Sequence, residues 1–215
     1  MPAFEGSSNP EIGSALVDYL TNSPLLDGFS EQGLQSLFDS YSDELKPRID
    51  GLMAKLSEVR GERLQKLTQI EALVGKGDEE RGRALYFGKA ICSTCHTILD
   101  EGGTLGPDLT SVQKDRSIHD IVESIIYPGV SLARDYETYQ VKTATETHIG
   151  ILKEQTPDAV VLETGPQTSV RIARNEIVEI SNSETSMMPQ GLDQLLSEDE
   201  KADLIAFLLG RDLVY

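Results

Sequence analysis

The chain has 215 residues, 39% of them hydrophobic and 26% charged, which suits one or two domains with real cores and excludes a disordered chain. No apolar run approaches the roughly 20 residues needed to span a bilayer. A net charge of −17 argues against nucleic acid and anionic membranes, whose phosphates repel an acidic surface, and leaves a basic protein as the physically compatible partner.

The opening "MPAFEGSSNPEIG" has neither a positive n-region nor an apolar h-region, so it does not read as a secretory signal. The protein then stays in the cytoplasm or is a mature or trimmed piece of a longer precursor. Up to about residue 76 the pattern is helical. "PEIGSALVDYLTNSPLL" and "SEQGLQSLFDSY" are short amphipathic segments interrupted by Asn22, Ser23, Pro24 and Gly28. Leu45, Ile49, Leu52, Leu56 and Val59 then step at intervals of four and three, and the stripe resumes after Gly61 with Leu64, Leu67, Ile70 and Val74. Gly51 and Gly61 interrupt this stripe too soon for a coiled coil, so it predicts a helical pair packed on the rest of the protein. Met53 falls within the stripe as a core residue. The start between Ser42 and Pro47 stays ambiguous, because proline is comfortable only in a first helical turn.

Gly75 and Gly77 end that region, and Asp78, with Glu79 and Glu80 after it, predicts the N-terminus of a new helix, "DEERGRALYFG". A cysteine–histidine turn and a Gly/Pro-rich loop, "EGGTLGPDLTSVQKDR", follow. Ser117 with Asp120 forms a shortened capping box for "IHDIVESIIY", which Pro128-Gly129 ends. From about Tyr136 the period becomes alternating. "YETYQVKTA", "HIGILKE", "AVVLET", "SVRIA" and "EIVEIS" predict an antiparallel sheet of four or five strands. After the loop "NSETSMMPQGLDQLL", Ser197 and Glu200 cap a last helix, "EDEKADLIAFLLG".

Both cysteines of the chain lie in "CSTCH", Cys92 to His96. Four chemistries compete for this pentapeptide. A redox pair needs βαβ surroundings, whereas the flanks here are a helix and a glycine-rich loop. Structural zinc needs four ligands, and only His119, His148 or a carboxylate remain to complete the set. A disulfide across two residues closes a very small loop and adds little stability. C-x-x-C-H as a c-type haem attachment site puts two thioethers and one axial imidazole on one macrocycle, which is why the spacing is short.

Three further features support the haem reading. Haem ligated by His and Met needs a thioether, and Met187 and Met188 sit side by side in the polar loop "SETSMMPQGL". Met188 is favoured because Pro189 holds it extended, and a one-residue slip to Met187 stays open. A metal-bound imidazole normally donates its other N–H, and the Gly106-Pro107 pair offers a rigid carbonyl. Gly82 leaves a notch one turn before Tyr86, and Leu204, Ile205, Phe207 and Leu208 of the last helix supply what packs into it. Interior glycine costs a helix about 1 kcal/mol, so a close crossing of the two helices accounts for it.

These pieces together resemble class I cytochrome c. Residues 77–210 are more closely similar to the haem-binding domain at the C-terminus of large secreted proteins of planctomycetes and verrucomicrobia, through "GDEERGRALYFGKAICSTCHTI", "GPDLT", "IIYPGVSLARDYETYQV" and "SMMPQGLDQLLSEDEKADLIAFLLG". The resemblance implies a mainly α fold, the class I cytochrome c helical fold, at residues 77–215, with a small antiparallel β-module inserted at about 136–181. Residues 1–76 are an α-helical region, the end of a HEAT-like repeat segment or a dedicated cap. It also implies one covalently attached haem c, with thioethers at Cys92 and Cys95, His96 and Met188 as iron ligands, and the Pro107 carbonyl accepting from His96. The implied function is single-electron transfer between redox partner proteins, not catalysis. A peroxidase-type haem enzyme with a displaceable distal ligand, and a docking module in which haem is subsidiary, are the rivals. Arg134, Arg171 and Arg174 are candidates for haem propionates or a partner. Haem c is attached outside the cytoplasm, which implies a periplasmic or otherwise extracytoplasmic protein whose upstream part has been removed.

Overall fold

The computed structural model describes residues 8–23, 26–130, 133, 135–183 and 185–210. They form two compact units that divide between Thr68 and Gln69. No helix among the described residues is long and apolar enough to cross a membrane.

The first unit contains α1 (Pro10–Thr21), α2 (Glu31–Phe38) and most of α3 (Lys46–Glu71). Asn9 and Ser30 cap α1 and α2 by accepting from the N–H groups of Glu11 and Gly33. Leu16, Leu20, Leu34, Phe38, Leu52 and Leu56 lie in one core, and Met53 packs against it partly buried, as the helical stripe predicts. Pro47 is the second residue of α3, within the first turn, where its missing N–H costs nothing. The expected helical pair is instead one helix of 26 residues that runs through Gly51 and Gly61. A side chain at either glycine would meet nothing within 4 Å. Each glycine therefore costs about 1 kcal/mol of propensity, too little to break a helix anchored by a buried leucine stripe.

In the second unit, α4 (Glu79–Phe87) leads into the Cys92–Thr94 turn and a minimal ladder of β1 (Thr97–Ile98) with β2 (Glu101–Gly102). Two short helices follow, α5 (Val112–Asp115) and α6 (Ile118–Ile126). A five-stranded sheet then forms from β3 (Thr138–Thr143), β4 (Thr147–Gln155), β5 (Ala159–Gly165), β6 (Thr168–Ala173) and β7 (Ile177–Ser183). The last element among the described residues is α7 (Glu198–Leu209). All pairings in the larger sheet are antiparallel, in the order β6-β5-β4-β3-β7, so β7 returns to lie beside β3 where the insertion began. Val141, Val160, Leu162 and Ile172 form its core. The capping boxes of α6 and α7 are both complete, and Asp78 accepts from the Arg81 N–H at the start of α4. The β1–β2 turn lay hidden in a loop that reads as structureless. Leu99 and Asp100 both take positive φ, 50° and 63°, the geometry of a tight primed hairpin turn, without the Asn-Gly or Asp-Gly pair that announces one.

Candidate functional site

The site is built on the crossing of α4 and α7. Gly82 makes that crossing possible, because a Cβ there would lie 2.0 Å from the Asp203 carbonyl oxygen and 2.7 Å from Phe207 Cβ. With the backbones this close, Asp203 reaches the start of α4. Its carboxylate takes a forked pair of bonds from Arg81, Nε to Oδ2 at 2.7 Å and Nη2 to Oδ1 at 2.8 Å, and accepts from the Asp78 N–H at 2.7 Å. The Arg81 bonds and the Asp78 N–H hold its pKa below the ordinary carboxylate value, against the effect of burial. Tyr86 packs its ring 5.5 Å from that of Phe207, and its hydroxyl donates to the His96 carbonyl at 2.8 Å. Helix packing thus reaches the cysteine–histidine turn through a single fully buried tyrosine.

That turn starts at Ile91, a β-branched residue held at φ 52°, a backbone state that costs on the order of 1–3 kcal/mol. The His96 N–H then closes on the Cys92 carbonyl at 2.9 Å. Both cysteines are free. Burial pushes the Cys92 thiol up to about 11 and raises that of Cys95 as well. A reactive redox pair needs the opposite, a lowered thiol pKa. Among the described residues no group of three or more His, Cys, Asp or Glu is arranged to hold a metal ion, so the four-ligand zinc reading finds no support.

The glycine-rich loop folds back under the turn. The Gly106 N–H donates to the Cys95 carbonyl at 2.7 Å, and the Leu109 N–H to that of Thr97 at 2.8 Å. This brings the Pro107 carbonyl to 2.8 Å from His96 Nδ1, where the ring N–H donates to it. Burial lowers the His96 pKa, with the bond to Pro107 acting the other way; in the neutral ring that donates from Nδ1, Nε2 carries the lone pair. Gly106 lies against the imidazole itself. A Cβ there would come within 2.5 Å of Cε1 and 2.7 Å of Nδ1.

His96, Cys92 and Cys95 face a cavity of about 480 Å³ with a predominantly apolar wall, well within the size range of cofactor sites. Met187 and Met188 both line it, as do Leu105 and Pro107. Ile121 of α6 and Leu204 and Leu208 of α7 complete the helical wall. The insertion contributes too, through Tyr136, Ile151 and the Thr164-Gly165-Pro166 corner between β5 and β6. The β-module is therefore part of the pocket.

The structure gathers Cys92, Cys95, His96, Pro107, Met187 and Met188 around one cavity. It does not bring in the other two imidazoles. His119 lies on α6 with Nδ1 2.6 Å from Glu71 Oε1, and His148 lies on β4 with Nε2 3.4 Å from Glu146 Oε2. Arg171 and Arg174 are not on the cavity wall, and Arg134 falls outside the described residues. Among the described residues the cation that lines the cavity is Arg116, directly before the α6 cap, and a buried carboxylate, Asp193, lies on the same wall. Neither stood out in the sequence. Arg116 lies in the loop "SVQKDR", where a cation beside a capping serine looks like ordinary surface.

Residues 79–162 match a family model described as cytochrome c, which supports a haem-binding domain of that family in this stretch. The match begins at the first residue of α4 and ends within β5. It covers the cysteine–histidine turn and its proline, and stops before the methionine loop and α7. No curated protein matches the chain.

Proposed function

We propose that the second unit is a mono-haem class I cytochrome c module that carries single electrons, with His96 and Met188 as the iron ligands. The residues present suit the group. Two thiols three positions apart, an imidazole with Nε2 free, and two thioethers all face one apolar cavity. The observation that carries the reading is the His96–Pro107 bond, which fixes the ring tautomer with Nδ1 as donor and leaves Nε2 as the nitrogen available to a metal, on a residue that lines the cavity. Bound haem supplies the one-electron iron couple, and a Met sulfur opposite His raises its potential. The chain's own part is to orient the imidazole through Pro107 and Gly106, to keep water away with the leucines of α7 and the insertion, and to offer Arg116 to a propionate at the cavity. Met188 is favoured over Met187 because Pro189 restricts its backbone.

The same reading makes this an electron-transfer module, within a larger oxidoreductase or by itself, in an extracytoplasmic protein whose redox partner is basic. A peroxidase-type site is less well supported, since no imidazole other than His96 lines the cavity among the described residues. The test is an oxidised and reduced visible spectrum of protein matured with haem-attachment machinery, repeated for Met188→Ala and Met187→Ala. Met188→Ala is expected to lose the weak long-wavelength Met–Fe(III) band, to lower the midpoint potential and to admit carbon monoxide, while Met187→Ala keeps the band. Pigment lost from the denatured protein on acidified solvent extraction refutes covalent attachment, and loss of the band in Met187→Ala alone moves the ligand by one residue.

A further inference from the structure

Three polar or charged side chains are buried among the described residues: Thr138, Asp193 and Asp203. Asp203 ties α7 to α4, and Asp193 lies on the cavity wall. Thr138, on β3, has no place in either the helix crossing or the cysteine–histidine turn, yet none of its surface is exposed. Its Oγ1 lies 2.7 Å from the Thr185 carbonyl oxygen and 3.1 Å from that of Ser183. A hydroxyl has one proton, so the shorter contact is the principal bond and the longer one shares it. Ser183 is the last residue of β7 and pairs with Thr138 in the ladder. Thr185 is already in the loop that delivers the two methionines.

We propose that Thr138 is the positioning residue of the methionine loop, clamping its first residues to β3, an inner strand of the inserted sheet, so that a thioether stays in the cavity. This rests on the reading of Met188 as an iron ligand. The clamp acts over a short lever. Only Ser186 and Met187 separate Thr185 from Met188, and that interval is braced by local bonds, from the Thr185 N–H to Ser183 Oγ and from the Met188 N–H to Ser186 Oγ, both 3.1 Å. Local turns set the shape of the loop but not where it sits. Thr138 makes a bond across 47 positions of sequence that ties it to β3. On its other side Thr138 pairs with Ile151, whose side chain lines the same cavity as Met188, so the clamp and the wall belong to one piece of sheet. Without the hydroxyl, the Ser183 and Thr185 carbonyls lose the donor that the fully buried Thr138 supplies, and the loop loses a bond to β3 that opposes its swinging outward.

An exogenous ligand that needs the open form binds with an apparent Kd equal to its intrinsic value divided by the open fraction. Imidazole titration of the ferric holoprotein therefore reads the clamp directly. Thr138→Ser and Thr138→Ala both lack the methyl group and differ only in the hydroxyl. Thr138→Ser is expected within twofold of wild type. Thr138→Ala is expected to bind imidazole about tenfold more tightly and to weaken the Met–Fe(III) band, a tenfold change being about 1.4 kcal/mol. Thr138→Val, which restores the volume without the hydroxyl, is expected to follow Thr138→Ala. A residue that merely stabilised the sheet would lower the unfolding midpoint and leave both readouts alone. Equal imidazole affinities for the Ser and Ala variants, with the wild-type band present, overturn this proposal alone. A wild-type protein without the band overturns the methionine ligation and the clamp with it.

Discussion

Replacing Gly82 by alanine tests how the helix crossing supports the site. The added Cβ would sit 2.0 Å from the Asp203 carbonyl oxygen, where ordinary contact begins at 3.4 Å. The difference requires α4 to recede from α7 by about 1.4 Å, because the obstacle is backbone and has no rotamer to change. Alanine gains about 1 kcal/mol of helix propensity. Overpacking against a rigid neighbour costs about 3 kcal/mol, so the net loss is about 2 kcal/mol. For a protein of this size that lowers Tm by about 4–8 °C. Gly61→Ala is the control, the same chemical change within α3 where a side chain meets nothing, and its expected sign is the opposite, a gain of about 1 kcal/mol. Denaturant unfolding followed by far-ultraviolet circular dichroism measures both. Displacement of α4 also draws the Tyr86 hydroxyl from the His96 carbonyl, so Gly82→Ala should perturb the haem spectrum while Gly61→Ala leaves it alone. A Gly82→Ala protein at least as stable as wild type, with an unchanged spectrum, refutes the close crossing as the reason for glycine.

Gly106→Ala puts a methyl group against the imidazole and is expected to rotate the ring off the Pro107 carbonyl, lowering haem incorporation and raising the midpoint potential, because the ring loses the bond that makes it a stronger donor. Full haem loading with an unshifted potential would show that the ring has room. The Asp203 carboxylate, held below its ordinary pKa chiefly by Arg81, contributes stability that is complete above an unfolded carboxylate value of about 4 and is lost as pH falls through the lower folded value. Asp203→Asn should therefore be less stable than wild type at neutral pH, and the gap should narrow below about pH 4. A gap that stays constant in thermal unfolding down to pH 2 would remove the ion pair from the account.

The local code of this chain is easy to read because its signals act over a few residues. Asp78, Ser117 and Ser197 announce helix starts because a cap bonds an N–H three positions away. The strands of the insertion announce themselves by alternation, and the spacing of Cys92, Cys95 and His96 narrows their chemistry to a few readings. Gly82 and Gly61 are indistinguishable on the same terms, both being single glycines in amphipathic helices. Only one of them presses on a backbone 121 positions further along the chain. Thr138 likewise reads as one more β-branched residue in a strand, and Arg116 as one more surface cation.

Residue order alone settles most of which segments coil and which extend, and marks Cys92, Cys95 and His96 as candidates for haem attachment, since propensity, capping and residue spacing are short-range. It took the packed structure to show that the inserted sheet lines the pocket, that Thr138 bonds the methionine loop, and that Gly106 lies against the ring of His96. Burial and hydrogen bonding there depend on chain segments that approach one another only after the helices and the sheet have packed.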